Sequence, residues 1–199
     1  MTKFRLALIA IALAGFALGC AEPPAAEIDG AKAALESARS AEAGEYAPEA
    51  LSAAEDAQSQ LETELKAQEE KFALMRRYET AKQLAAAATD AANNAATKAA
   101  EEKQRLQTAA SDLIAATRTA IAETTALFEQ APTGKGTQAD IAALKADLAA
   151  AETSLADAEA SFSSGQYRDA VAKAESVQQS VQSVKMALEE AIAAKGGRR

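Results

Sequence analysis

Twenty-nine carboxylates, one thiol and no imidazole set the chemistry open to this chain. Without histidine there is no Ser-His-Asp triad, no Cys-His pair and no His-containing zinc site. A site built from carboxylates alone would need two buried acids facing one cleft. Instead acids recur beside bases at helical spacing, as in Glu62 with Lys66 and Glu101 with Arg105. Such i,i+4 pairs are the mark of solvated helix faces. Gly134-Lys135-Gly136 lacks the preceding strand and the spacing of a phosphate-binding loop. The expectation is a non-enzymatic protein with no metal, no cofactor and no evident small-molecule substrate. The single thiol, Cys20, has no intramolecular disulfide partner, so its chemistry lies elsewhere.

Its surroundings say where. Lys3 and Arg5 precede an apolar run from Leu6 to Leu18, 13 residues long. A spanning helix needs about 20 residues, so the run has signal-peptide length instead. The sequence Ala17-Leu18-Gly19-Cys20 resembles a lipobox, although the most typical lipobox has Leu where Ala17 stands. The resemblance implies cleavage between Gly19 and Cys20. It also implies a thioether-linked diacylglycerol on Cys20 and acylation of the new amine, with palmitate as a fitting chain. Two or three acyl chains anchor stably, since each buried methylene contributes about 0.8 kcal/mol. The alternative is an ordinary cysteine after a plain secretory signal or an uncleaved anchor. Against it stand the solitude of Cys20 and the spacer Ala-Glu-Pro-Pro-Ala-Ala that follows, which cannot start a helix before Pro24. Ala21, rather than Asp, follows Cys20. By resemblance to enteric lipoprotein sorting, this favours the outer membrane, with the mature chain facing the periplasm.

The elements that follow must be helices. Alanine accounts for 57 of the 199 residues, there is no Trp, and the four Val all lie beyond residue 170. Alanine favours helix but buries little area per residue. Long helices packed closely side by side are the expected outcome, not a thick core. The net charge is −8, and becomes −10 once Lys3 and Arg5 leave with the signal. Such a chain repels phosphate backbones, so nucleic acid is not an expected partner. The membrane is expected to be reached through lipidated Cys20 rather than through basic patches.

Glycine and proline punctuate the chain sparingly. The reading divides it into a signal peptide (1–19), a tether (20–27), a helical hairpin with a very long second arm (28–130), a linker (131–137), a second hairpin (138–195) and a basic tail (196–199). In the first hairpin Ile28, Ala31, Leu35 and Ala38 line one face. Residues 49–131 contain neither Gly nor Pro. Leu51, Ala54, Leu61, Leu65, Phe72 and Met75 begin an apolar stripe there. Alanines 81, 85, 88, 92, 95 and 99 continue it, and Leu106, Ala110, Leu113, Thr117, Ala120, Thr124 and Leu127 finish it. An unbroken rod over this stretch would reach about 120 Å, unless it bends at Asn93-Asn94, both poor helix formers. In the second hairpin Ile141, Leu144, Leu148, Ala151, Leu155, Ala158 and Phe162 alternate spacings of three and four. So do Tyr167, Ala170, Ala174, Val177, Val181, Val184, Leu188 and Ala191. That period suits left-handed, coiled-coil-like packing of antiparallel neighbours. The expected fold class is therefore all-α: elongated antiparallel hairpins, coiled-coil-like, with one very long helix.

The two turns echo one another. Gly44, Tyr46 and Pro48 in the first correspond to Gly165 and Tyr167 in the second, with one residue inserted near Pro48. Each glycine is expected to supply a left-handed helix cap, and each tyrosine to cover the hairpin mouth. The second turn, Phe162-x-x-Gly165-x-Tyr167-x-x-Ala170-x-x-x-Ala174, resembles the turn between the helices of a tetratricopeptide repeat. The helices are longer than that repeat allows, and no array is present. The lipobox, the short Ala-rich helix and Gly44-x-Tyr46-Ala47-Pro48-x-x-Leu51 together resemble an uncharacterised lipoprotein family of Gram-negative envelopes, over roughly residues 1–70. The resemblance implies an envelope context and no activity.

Arg76-Arg77-Tyr78 is the one local basic-aromatic cluster. It reads as helix surface, or as a docking point for an anionic polymer or partner. The tail Lys195-Gly-Gly-Arg198-Arg199 complements a helix C-terminus, or contacts cell-wall or lipid anions. The functional expectation is a lipid-anchored envelope protein with a structural, scaffold or assembly role, pairing with itself or with another helical protein. The alternative is a binding module in which hairpin 138–195 recognises a peptide or an envelope polymer.

Overall fold

A computed structural model describes residues 22–132, 134 and 137–196. Gly19, Cys20 and the signal segment lie outside the described residues, as do Lys135, Gly136 and the Arg198-Arg199 tail. All regular structure among the described residues is helical, and the chain divides into two compact units after Glu102.

In the first unit, helix α1 (Ala25–Ser40) starts immediately after Pro24. A short helix, α2 (Ala43–Tyr46), turns the chain. Helix α3 (Pro48–Glu69) then returns along α1. Pro48 occupies the first turn of α3, where its fixed φ and missing N–H cost nothing. Helix α4 (Glu79–Leu127) follows, 49 residues long. Leu35, Ala54 and Ala92 pack at one level, and Ala31, Leu61, Ala81, Ala85 and Ala88 at another. Moving from 54 to 61 along α3 thus means moving from 92 towards 81 along α4. The two helices are antiparallel, and the unit is a three-helix bundle. All six predicted alanines of α4, from Ala81 to Ala99, are at most 2% exposed.

The expected single arm over 49–130 is therefore corrected. The chain leaves helix at Glu69, makes a 3₁₀ turn at Ala73–Met75 and re-enters helix at Glu79. The break falls at 70–78, not at Asn93-Asn94, through which α4 runs uninterrupted. Turning back lets the alanine seam of α4 cover α1 and α3, a larger apolar gain than a lone exposed rod would make.

In the second unit, helices α5 (Gln138–Ser163) and α6 (Tyr167–Gly196) form an antiparallel hairpin against α4 residues beyond 103. Ile114 and Ile121 of α4 meet Leu148, Ala151, Leu155 and Ala158 of α5 and Ala174, Val177, Val181 and Val184 of α6. Towards the open end, Ile141 packs with Leu188. Ion pairs Arg118–Glu159 (2.5 Å) and Lys185–Glu123 (3.1 Å) join α4 to each arm at the exposed rim. Exposed pairs of this kind fix orientation more than they stabilise. Both predicted stripes of the hairpin face the core.

The two turns are capped differently. At the second, Gly165 has φ +81°, its N–H donates to Phe162 O, and the N–H of Gln166 donates to Ser161 O. These are the two bonds of a Schellman cap, and the expected role of Gly165 holds. At the first, the left-handed residue is Glu42, at φ 60°, while Gly44 lies within α2. This turn contains the extra four-residue helix α2, and its left-handed position falls ahead of the glycine. Tyr46 is buried at this mouth. Tyr167 is half-buried and meets Phe162 edge-on at 5.4 Å.

Two sets of substitutions test this packing. Ala92→Leu should destabilise the chain by about 2 kcal/mol through overpacking of the seam, whereas Ala87→Leu on the exposed face should stay within about 0.5 kcal/mol. Gly165→Ala should cost about 1 kcal/mol, because a Cβ is strained at positive φ. Gly44→Ala should be neutral or gain about 0.5 kcal/mol, since a Cβ there would meet Leu51 at an ordinary 3.7 Å. Urea denaturation of each variant measures all four.

Candidate functional site

The second hairpin turn holds the one nucleophile beside a base among the described interactions. Ser161, 5% exposed, donates its hydroxyl to Asp169 Oδ2 at 2.7 Å, and Lys173 Nζ donates to Ser161 Oγ at 2.8 Å. A serine against a lysine is the geometry of an activated nucleophile. Here Lys173 is also paired with Asp169 at 2.7 Å. Lys173 first, and then Ser161, hold the Asp169 carboxyl below its ordinary range, so it stays charged at neutral pH and keeps the ammonium engaged. The three groups satisfy one another and clasp the start of α6 to the end of α5. They carry no free base. Gly165 and Tyr167 belong to this same turn, while Gly44, Tyr46 and Pro48 belong to the turn of the other unit. These five residues shape hairpins and converge on no common cleft within either unit.

Among the described residues no group of three or more acids or thiols is placed to hold a metal ion. No described helix is long and apolar enough to cross a membrane. The second unit has an open groove of about 780 Å³ between the first turns of α5 and the last turns of α6, lined by Ile141, Leu144, Ala187, Ala191 and Ala194 among others.

The feature that sequence reasoning missed is the loop between α3 and α4, Glu70–Tyr78. Phe72 is 81% exposed, Leu74 68% and Met75 72%. Phe72 and Met75, expected in the core stripe, are corrected to solvent. Arg76-Arg77-Tyr78, expected on a helix surface, is corrected to this loop, with only Tyr78 buried, against Ala81 and Leu61. No glycine or proline makes the turn. Arg76 makes it instead: its Nη2 donates to Glu69 O at 2.9 Å and its Nε to Lys71 O at 3.1 Å. Those carbonyls stand at the α3 C-terminus, where a cation and a donor are both favoured. The side chain of Gln68, buried at the last turn, accepts the Arg77 N–H at 3.0 Å and donates to Glu64 at 2.6 Å. Tyr78 then anchors the re-entry into helix. The loop is thus a built structure that points three large apolar side chains outwards.

Its place in the first unit is fixed by the hairpin. Arg39 bridges to Glu55 across the arms at 2.7 Å. Ala25 precedes Arg39 by fourteen residues, and Glu69 follows Glu55 by fourteen. At equal rise per residue, the start of α1 and the end of α3 lie at the same level. Ile28 packing into the cluster of Leu61, Leu65 and Tyr78 agrees. Of the expected 20–27 tether, residues 25–27 are already helix; Glu22–Pro24 ahead of them and the apolar loop therefore leave the same end of the bundle.

Neither a family profile, nor a curated protein, nor a solved structure matches this chain.

Arg76→Ala should remove two capping bonds, at about 1 kcal/mol each for a charged donor near solvent. Amide exchange should then accelerate over the last turn of α3 while the second unit keeps its protection. Unchanged exchange at 66–71 would refute the capping role.

Proposed function

We propose that this chain is a lipid-anchored protein of the cell envelope with a structural role, in which two helical bundles are held at a membrane by acyl chains on Cys20. The observation that supports it best is the tether. Five residues after Cys20, helix begins without delay at Ala25, so an acylated Cys20 would hold the first bundle within about 17 Å of the bilayer. The lipobox resemblance and the envelope-family resemblance over 1–70 supply the compartment, and Ala21 points to the outer membrane and the periplasmic side. The helical surfaces suit pairing with a second copy or with another helical protein. The groove at the open end of the second hairpin favours a second reading, in which α5 and α6 receive an apolar peptide or helix there.

Cys20→Ser tests the anchor in cells. The unaltered chain is expected in the membrane fraction, with an N-terminal mass that includes acyl chains. The variant is expected to lose that mass and to leave the membrane fraction. An unmodified Cys20 in the wild-type chain would refute the anchor. For the second reading, Ala191→Arg in the groove should abolish capture of any partner that the wild-type chain retains.

A further inference from the structure

We infer that the loop Lys71–Tyr78 is a second membrane contact, which seats the tether end of the first bundle in the bilayer interface. The inference rests on the anchor reading and extends it to a surface of the folded chain. Among the described residues of the first unit, Phe72, Leu74 and Met75 are the large apolar side chains that stand out most into water. Phe72 is one of only six aromatics beyond the signal segment, and a chain so poor in large side chains places it in solvent. A cluster of this kind marks a surface that something covers.

The occupant is chosen by where the loop stands. It leaves the bundle at the level of Ala25, and an acylated Cys20 five residues upstream would keep that level within reach of the lipid. The apolar tip then faces the bilayer, not the periplasm. Its polar frame fits: from Glu70 to Tyr78 there are three bases and one acid, in a chain whose balance is strongly acidic. Lys71 and Arg77 are exposed, and their long stems allow the charges to remain at headgroup level while the tip enters. Glu69, Glu70 and Glu79 lie just behind on the helix ends. The contact is therefore carried by the apolar side chains, and charge sets its depth. Capped by Arg76 and Gln68, the tip is presented ready-formed and needs no unfolding to insert.

The absence of tryptophan makes the test direct. Phe72→Trp and Leu74→Trp each add one reporter at an exposed position where folding is not at risk. Ser40→Trp adds one at the opposite end of the same bundle. The full chain, purified from membranes and reconstituted into phosphatidylcholine–phosphatidylglycerol vesicles, is expected to show blue-shifted indole emission at 72 and 74. Brominated lipid should quench that emission, while the indole at 40 stays unshifted and unquenched. Emission at 72 and 74 that stays red-shifted and unquenched overturns the inference. A blue shift without quenching places the loop against protein, a second copy or a partner, and overturns it too. Quenching at 40 as well means that the bundle lies along the membrane, which also overturns it. Failure of the anchor itself reads differently: the purified chain carries no acyl mass. In that case the chain lacking residues 1–19 is coupled through its Cys20 thiol to a maleimide lipid, and the same three reporters decide on the loop alone.

Discussion

A helix whose buried face is alanine gains little from each residue that it hides, and the rest of this structure follows from that. The contact face of α4 in the first unit is Ala81, Ala85, Ala88, Ala92, Ala95 and Ala99. Each methyl is worth well under the contribution of a buried leucine, so stability must come from length and from close backbone approach. Small side chains permit both. The arms α1 and α3 can lie near the seam, and the few large residues available, Leu35, Leu61 and Tyr78, fill the gaps between. The same thinness leaves little space inside a bundle for a deep site, and so places the informative surfaces at helix ends and turns.

The need to cover that seam explains the break after Glu69. An uninterrupted helix from 48 to 127 would leave the alanine face of its second half without the α1–α3 hairpin. Reversal brings the two together, and the turn is made by side chains. Arg76 supplies the donors that a left-handed glycine cap would otherwise arrange, and Gln68 supplies the acceptor. The consequence is a tip whose apolar residues stand in solvent while Tyr78 occupies the end of the buried cluster.

That turn was the least legible part of the sequence, for a definite reason. The three-four spacing of Ala54, Gln58, Leu61, Leu65, Gln68, Phe72 and Met75 passes through the break without a fault. Periodicity therefore predicts helix where there is none, and no glycine or proline contradicts it. The signal that was present is compositional. Two buried stripe positions are glutamines, and Leu74 adds an apolar residue off the stripe beside two arginines. By contrast the second hairpin was fully legible, because large residues, a short connection and Gly165 all agree. Gly44 misled because residue type identified a turn correctly and its left-handed position wrongly. The extra turn of α2 depends on how Tyr46 and Ala43 pack, which spacing does not encode.

One helix, α4, serves two kinds of core. Its first half offers alanine to a hairpin made mostly of Ala and Leu. Its second half offers Ile114 and Ile121 to α5 and to α6, the helix that holds every valine of the chain, and buries Thr117 and Thr124 as well. Thr124 returns its hydroxyl to Ala120 O at 2.7 Å, a bond within its own helix that lets a polar residue act as a β-branched filler. Thr117 is equally buried, and its hydroxyl has no partner among the described residues. Branched side chains on both sides hold the second bundle by interlocking shape, where the first relies on closeness of backbones. A continuous helix can change regime in this way because each turn answers only to the residues opposite it. This also shows how a chain with so narrow an alphabet builds two distinct bundles: the difference lies in where its few large residues fall, and very little in the helices themselves.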